Sequence, residues 1–151
     1  MRIYLVVIDD SDEAGIALRF AARRAVKTGG GVEILAVIPP QEFIAFGGVQ
    51  ATIEDEARRH AEGLVAQAAG ALLEESGVRP TITVLQGEPA RIVQEVIDGN
   101  ADIAALVLGA AASGAPGALV SHFAGTDAGK LRVPLMIIPG SLDQAAIDRL
   151  S

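Results

Sequence analysis

Four apolar runs, Ile3–Ile8, Val32–Ile38 (broken only by Glu33), Ile103–Leu108 and Leu135–Ile138, recur along this chain with helix-length segments between them. A fifth run, Thr81–Leu85, alternates threonines and Leu85 with Ile82 and Val84. Short runs that are apolar throughout suit strands buried on both faces, and such burial belongs to parallel sheets covered by helices. Strands that alternate with helices must cross over in one hand, which gives a doubly wound sheet. The expectation is an α/β fold: one domain, a parallel sheet of five strands, helices on both faces. Ligands of such sheets sit at the carboxyl ends of strands, where the strand order reverses.

The intervening segments carry helical spacing and stop signals. Ala14, Leu18, Ala21 and Ala25 form one stripe, preceded by Asp9-Asp10-Ser11 and ended by Gly29-Gly30-Gly31. Ser11 or Asp10 can cap that helix, and Asp12 and Glu13 suit its first turn. A long helix is expected from about Thr52 to Ser76, with Ile53, Ala57, Ala61, Leu64, Ala68 and Leu72 facing inward and Gly77 as its stop. Gly87-Glu88-Pro89 opens a helix with Ile92, Val93, Val96 and Ile97 buried. A fourth helix is expected to carry Leu119, Val120, Phe123, Ala124 and Leu131 on one face. Residues 1–140 then form the domain, and 141–151 a tail with one short helix bearing Leu142, Ile147 and Leu150. The segment Gln41 to Gln50 is expected to be a loop. Its Phe43–Gly48 stretch is open to two readings: a lid over the strand ends, or aromatics packed under the long helix.

Composition narrows the function. Half of the residues are hydrophobic but only 3% are aromatic, so the core is Val, Ile, Leu and Ala. The net charge of −7 disfavours nucleic acid and anionic membrane surfaces as partners. There is no cysteine, which excludes disulfides, thiolate catalysis and Cys-ligated metal. No apolar run approaches the ~20 residues of a membrane span, and the first strand begins at about Arg2, leaving no room for a signal peptide. A cytoplasmic location is expected. His60 and His122 are too far apart in sequence to suggest a metal site, and none is expected.

The chemistry-bearing segment follows the fourth apolar run. Gly109 ends the strand, a loop of Ala, Gly, Ser and Pro follows, and then a helix begins. Small residues there can bring backbone N–H groups close to an anion. Gly109, Gly114 and Gly117 permit close approach or positive φ; a turn alone would use one or two of them. Ser113 and Ser121 can hydrogen-bond phosphate oxygens or cap the fourth helix. From Gly109 to Gly129 there is no Lys or Arg, which suits a weakly charged ligand better than a triphosphate. Gly125-Thr-Asp-Ala-Gly129-Lys130 resembles a P-loop but has the wrong spacing and no Ser or Thr after the lysine. Ser121 and His122 are neighbours whose side chains diverge on a helix, so they make a poor catalytic pair.

Four segments together resemble the universal stress protein family: Val6-Val7-Ile8-Asp9-Asp10-Ser11, Gly87-Glu88-Pro89-Ala90, Ala101-Asp102-Ile103 with Leu106-Val107-Leu108-Gly109, and Val133-Pro134-Leu135 to Pro139. The resemblance implies the strand order 3-2-1-4-5 and a homodimer, which the apolar fifth strand could form as a sheet edge. It also implies an adenine nucleotide, ATP, ADP or AMP, at the carboxyl ends of strands one and four. Asp9 would face ribose or adenine, and Val37 would meet adenine through its backbone. Gly109, Ser113, Gly114, Gly117 and Ser121 would lie near the phosphates.

ATP-binding members carry Gly-x2-Gly-x9-Gly-Ser/Thr after strand four. Here Gly114-Ala115-Pro116-Gly117 supplies the first pair, but Gly125-Thr126 follows after seven residues. Counting back from Pro134 instead places Ser121-His122 at the Gly-Ser position, and that register keeps the fourth helix long enough to cross the sheet. The expected protein is therefore a stress-response or regulatory binding module, not an enzyme. The alternative is a dimeric, nucleotide-independent interaction module.

Overall fold

A computed structural model describes residues 1–40 and 47–151. The elements run β1 Ile3–Val7, α1 Asp12–Thr28, β2 Gly31–Ile38, α2 Gly47–Ser76, β3 Thr81–Gln86, α3 Pro89–Gly99, β4 Ile103–Ala110, α4 Ala118–Phe123, a 3-10 turn Ala128–Lys130, β5 Leu135–Pro139 and α5 Gln144–Leu150. All five strands pair in parallel, in the order β3-β2-β1-β4-β5. The strand order and layered architecture are those expected from the sequence.

Alternation along each central strand divides the core in two. Tyr4, Val6, Ile34, Ala36 and Val107 face α1, α2 and α5. Leu5, Leu35, Leu106 and Leu108 face α3 and α4. Leu5, Ile34, Leu35, Leu106 and Val6 are fully buried, as the apolar runs require. Helix α1 lies close to the sheet because its inner face is mostly alanine (Ala14, Ala17, Ala21, Ala25), and Gly29, at φ 67°, ends it in a left-handed cap. Helix α2 starts at Gly47, earlier than expected, and buries Ala61, Val65 and Leu72. The Phe43–Gly48 lid question lies outside the described residues but for Gly47 and Gly48, which belong to α2.

Two features depart from simple expectation. Glu33 is buried in β2 at 8% exposure and hydrogen-bonds Asn100; burial pushes its carboxyl pKa up, and the Asn100 bond partly offsets this. The C-terminal segment is well anchored: Ile147 is fully buried, and Asp143 caps α5 by accepting from the Ala146 N–H at 2.8 Å. No described helix is long and apolar enough to cross a membrane.

Candidate functional site at the end of strand one

The central strand is the one that stops short. β1 leaves the sheet after Val7, while its neighbours continue to Ile38 and Ala110. A notch therefore opens at the carboxyl end of β1, where crossovers run to either side and the strand order reverses. The Ile8 N–H donates to the Leu35 carbonyl at 2.8 Å. In a parallel ladder, residues two apart direct their main-chain groups to the same side. The Val37 N–H and C=O thus point toward the β1 side, beyond the end of that strand. Ile38 points the other way, its carbonyl accepting from the Gly87 N–H at 3.0 Å.

A cavity of about 240 Å³ fills this notch. β1 and its exit contribute Val7, Ile8, Asp9 and Ser11; β2 contributes Val37 and Pro39; β4 contributes Leu108 and Gly109. Residues Pro116–Val120 close the α4 side, Pro89 the α3 side, and Glu13 and Ala14 the start of α1. The structure brings Asp9, Val37, Gly109 and Gly117 to one cavity. Ser113, Gly114 and Ser121 do not line it; all three are exposed.

Asp9 does not cap α1 directly. Its Oδ1 accepts from the Ser11 N–H at 2.9 Å and from the Ser11 hydroxyl, which fixes the carboxylate in a local turn. The other oxygen has no hydrogen bond among the described residues and remains able to accept one from a ligand. Asp10 turns away to His60 of α2, whose Nε2 lies 2.9 Å from both carboxylate oxygens. His60 is exposed, as expected, yet it ties α2 to the rim of the site.

The glycines divide by role. A Cβ on Gly109 would lie 2.2 Å from the Glu13 carbonyl oxygen, so glycine is required there for α1 to approach β4. Gly114 (φ 74°) and Gly117 (φ 117°) have open space around them and serve the turn into α4. The Ala111 N–H closes that turn on the Pro116 carbonyl at 3.1 Å. Glu13 carries no sequence signal beyond being a first-turn carboxylate, yet its backbone seats Gly109 and it lines the cavity.

Helix α4 corrects the expectation of a long fourth helix. It ends at Phe123, and the chain turns through Gly125 to Asp127 before a single 3-10 turn. Gly125 and Gly129 are poor helix residues. A Cβ on Gly125 would lie 2.9 Å from the Ser121 carbonyl, so the glycine allows the chain to fold back. The turn brings His122 Nε2 to 2.9 Å from Asp127 Oδ2, and Lys130 Nζ to 3.3 Å from Asp127 Oδ1. The apolar spacing of Phe123 and Leu131 resembles one helix face, but two short pieces produce it. The length argument for placing Ser121 at the Gly-Ser position therefore lapses, and the P-loop-like stretch from Gly125 lies in a turn rather than within a helix. Ser121 donates its N–H to Gly117 at 3.0 Å, one turn into α4, and its hydroxyl makes no hydrogen bond with His122.

At the start of α3, Glu88 caps the helix, accepting from the Arg91 N–H at 2.8 Å and the Ala90 N–H at 3.1 Å. These bonds, that from Arg91 first, hold its pKa below the usual carboxylate range. Arg91 in turn pairs with Glu95 at 2.7 Å.

A larger groove, about 990 Å³, lies on the other face between α1, α2 and α5, and it meets the first cavity at Ile8, Asp9 and Ser11. Arg19 of α1 spans it, donating to both carboxylate oxygens of Asp148 at 3.1 and 3.0 Å and to Glu75 at 3.1 Å. The Asp148 carboxylate keeps the Arg19 guanidinium pKa above its ordinary value, and Arg19 holds that of Asp148 below its own. Arg23 Nε stands 3.0 Å from Asp148 Oδ1 but is not aligned to donate, so charge alone acts there.

A parallel sheet of this order with a notch at its switch point defines a doubly wound α/β protein. The universal stress protein family model matches residues 1–139, and the chain belongs to that family. Among solved structures it is similar to the universal stress protein UspA from Lactobacillus plantarum, with 20% identity, 91% of this chain and 97% of that chain covered, and a TM-score of 0.75. It is similar to the universal stress protein from Archaeoglobus fulgidus in complex with dAMP, with 23% identity, 91% and 97% covered, and a TM-score of 0.65. An Arabidopsis thaliana family protein with AMP bound shares 13% identity over 92% of each chain, with a TM-score of 0.60. A comparison with curated protein sequences gave no match.

Proposed function

We propose that this chain is a cytoplasmic, non-enzymatic stress-response or regulatory protein that binds an adenine nucleotide in the notch at the end of β1. The observation that carries the reading is the convergence of a hydrogen-bonding carboxylate, Asp9, and the outward main chain of Val37 on one cavity. Asp9 would accept a hydrogen bond from ribose or adenine, and Val37 would read the base edge through its backbone. Solved relatives described with dAMP or AMP support the ligand class. We place the protein among binding modules, as membership of the universal stress protein family suggests.

The test is direct. Protein purified from cells is denatured and the released small molecules are identified by mass spectrometry, with ATP, ADP and AMP titrated by calorimetry. An adenine nucleotide released, or affinity tighter than about 100 μM (roughly 5.5 kcal/mol) that Asp9→Ala abolishes, supports the reading. Empty protein with no heat on titration removes it.

A second reading is a nucleotide-independent interaction module, favoured by the small cavity and by Ser113 of the loop and Ser121 of α4, which stay outside it. In either case we propose a homodimer through β5. This strand is hydrogen-bonded on one side only, to β4, and Ile137 is 40% exposed.

A further inference from the structure

Resting on the adenine-site reading, we infer that this site selects against phosphate charge, so that adenosine binds more tightly than AMP, and AMP more tightly than ATP. Among the described residues, the lining of the cavity at the end of β1 includes no Lys, Arg or His, and it includes the acidic residues Asp9 and Glu13.

The usual sources of positive potential are already taken. The N-terminus of α1 opens toward the cavity, but Asp12 and Glu13 occupy its first turn and neutralise its dipole from within the chain. Helix α4 has only six residues and a correspondingly small dipole. Arg91 is paired with Glu95, Arg19 with Asp148 and Glu75, and Lys130 and His122 with Asp127.

The Glu13 backbone is held in place. Its carbonyl lies against Gly109, where a Cβ would stand 2.2 Å away, and its own Cβ is 3.2 Å from the Cβ position of Gly140. The helix start is wedged between the ends of β4 and β5, which keeps the Glu13 backbone at the cavity wall. Each phosphate added to a bound nucleoside therefore adds negative charge to a site lined by two acidic residues and, among the described residues, no basic one. The cavity volume of about 240 Å³ also lies below the ~300–1,000 Å³ usual for drug-sized ligands, which suits a nucleoside better than a triphosphate.

The experiment is calorimetric titration of the full chain with adenosine, AMP, ADP and ATP in metal-free buffer at low and high salt. The expected result is adenosine tightest, with ATP weaker by on the order of tenfold or more. Raising salt should strengthen ATP binding, because screening relieves repulsion, and leave adenosine nearly unchanged. Glu13→Gln should raise the ratio of ATP to adenosine affinity several-fold. ATP binding more tightly than adenosine, or weakening as salt rises, overturns the inference and leaves the adenine site standing. Heat from none of the four ligands removes the site itself, and this inference with it.

Discussion

Gly109 shows how one residue can be read correctly as special and still have its purpose elsewhere. Its position after an apolar run marks it in the sequence as a point of close approach. The structure shows that what approaches is the Glu13 backbone. Gly109→Ala should therefore destabilise the fold by about 1–3 kcal/mol or more, as overpacking against backbone does. A lowered urea midpoint with unchanged slope would show it; a midpoint equal to that of the parent would contradict the packing account. Glu33 presents the opposite case, a charge-bearing residue inside an apolar run. Its folded pKa is raised, mainly by burial, so the fold favours the protonated form. Below the unfolded carboxyl value both states carry the proton and there is no penalty. As pH rises through the folded pKa the penalty grows to its full extent. Glu33→Gln should raise the melting temperature at pH 7 and leave it nearly unchanged at pH 4. Equal effects at both pH values would count against desolvation as the cause.

At the scale of elements, the strands were legible to within one or two residues: β1, β2 and β4 are largely buried runs, and the edge strands β3 and β5 are short apolar or alternating runs bounded by turn residues. Helix α3 was legible from Pro89 and the spacing of Ile92, Val93 and Ile97. Helix α4 was not. Leu119, Val120 and Phe123 keep helical spacing, and nothing local before Gly125 announces the stop; the break is fixed by a pair that only the fold creates, His122 with Asp127. The notch itself was legible only in part. Asp9 lies at a predictable strand end, but the part played by Glu13 depends on how closely α1 meets β4. Helix α5 is short, and the sequence alone marks it as little more than a tail. Ile147 is nonetheless fully buried, and the helix packs on α1 beneath Arg19. Ile147→Ala should cost about 2–5 kcal/mol, measured by chemical denaturation. A loss below about 0.5 kcal/mol, typical of surface changes, would show that α5 is a loose appendage.

For the molecule as a whole, the sheet has two free edges of different character. β3 mixes polar Thr81, Thr83 and Gln86 with exposed Ile82 and Leu85, whereas β5 is apolar from Leu135 to Ile138, with Ile137 exposed. If β5 forms the proposed dimer, Ile137→Lys should shift gel filtration from dimer to monomer at micromolar concentration while circular dichroism is unchanged. A monomeric parent protein at that concentration would remove the dimer proposal.

The position of β1 in the sheet also sets a timetable for synthesis. β1 leaves the ribosome before its partners and pairs with β2 soon afterwards, but its other side waits for β4, with Ile3 opposite Ile103. At roughly 5–20 residues per second, about a hundred residues of chain leave that side of β1 uncovered for on the order of 5–20 s. The nascent protein is thus a half-sheet with an open apolar edge at its centre, and it is in this interval that chaperone protection would matter most.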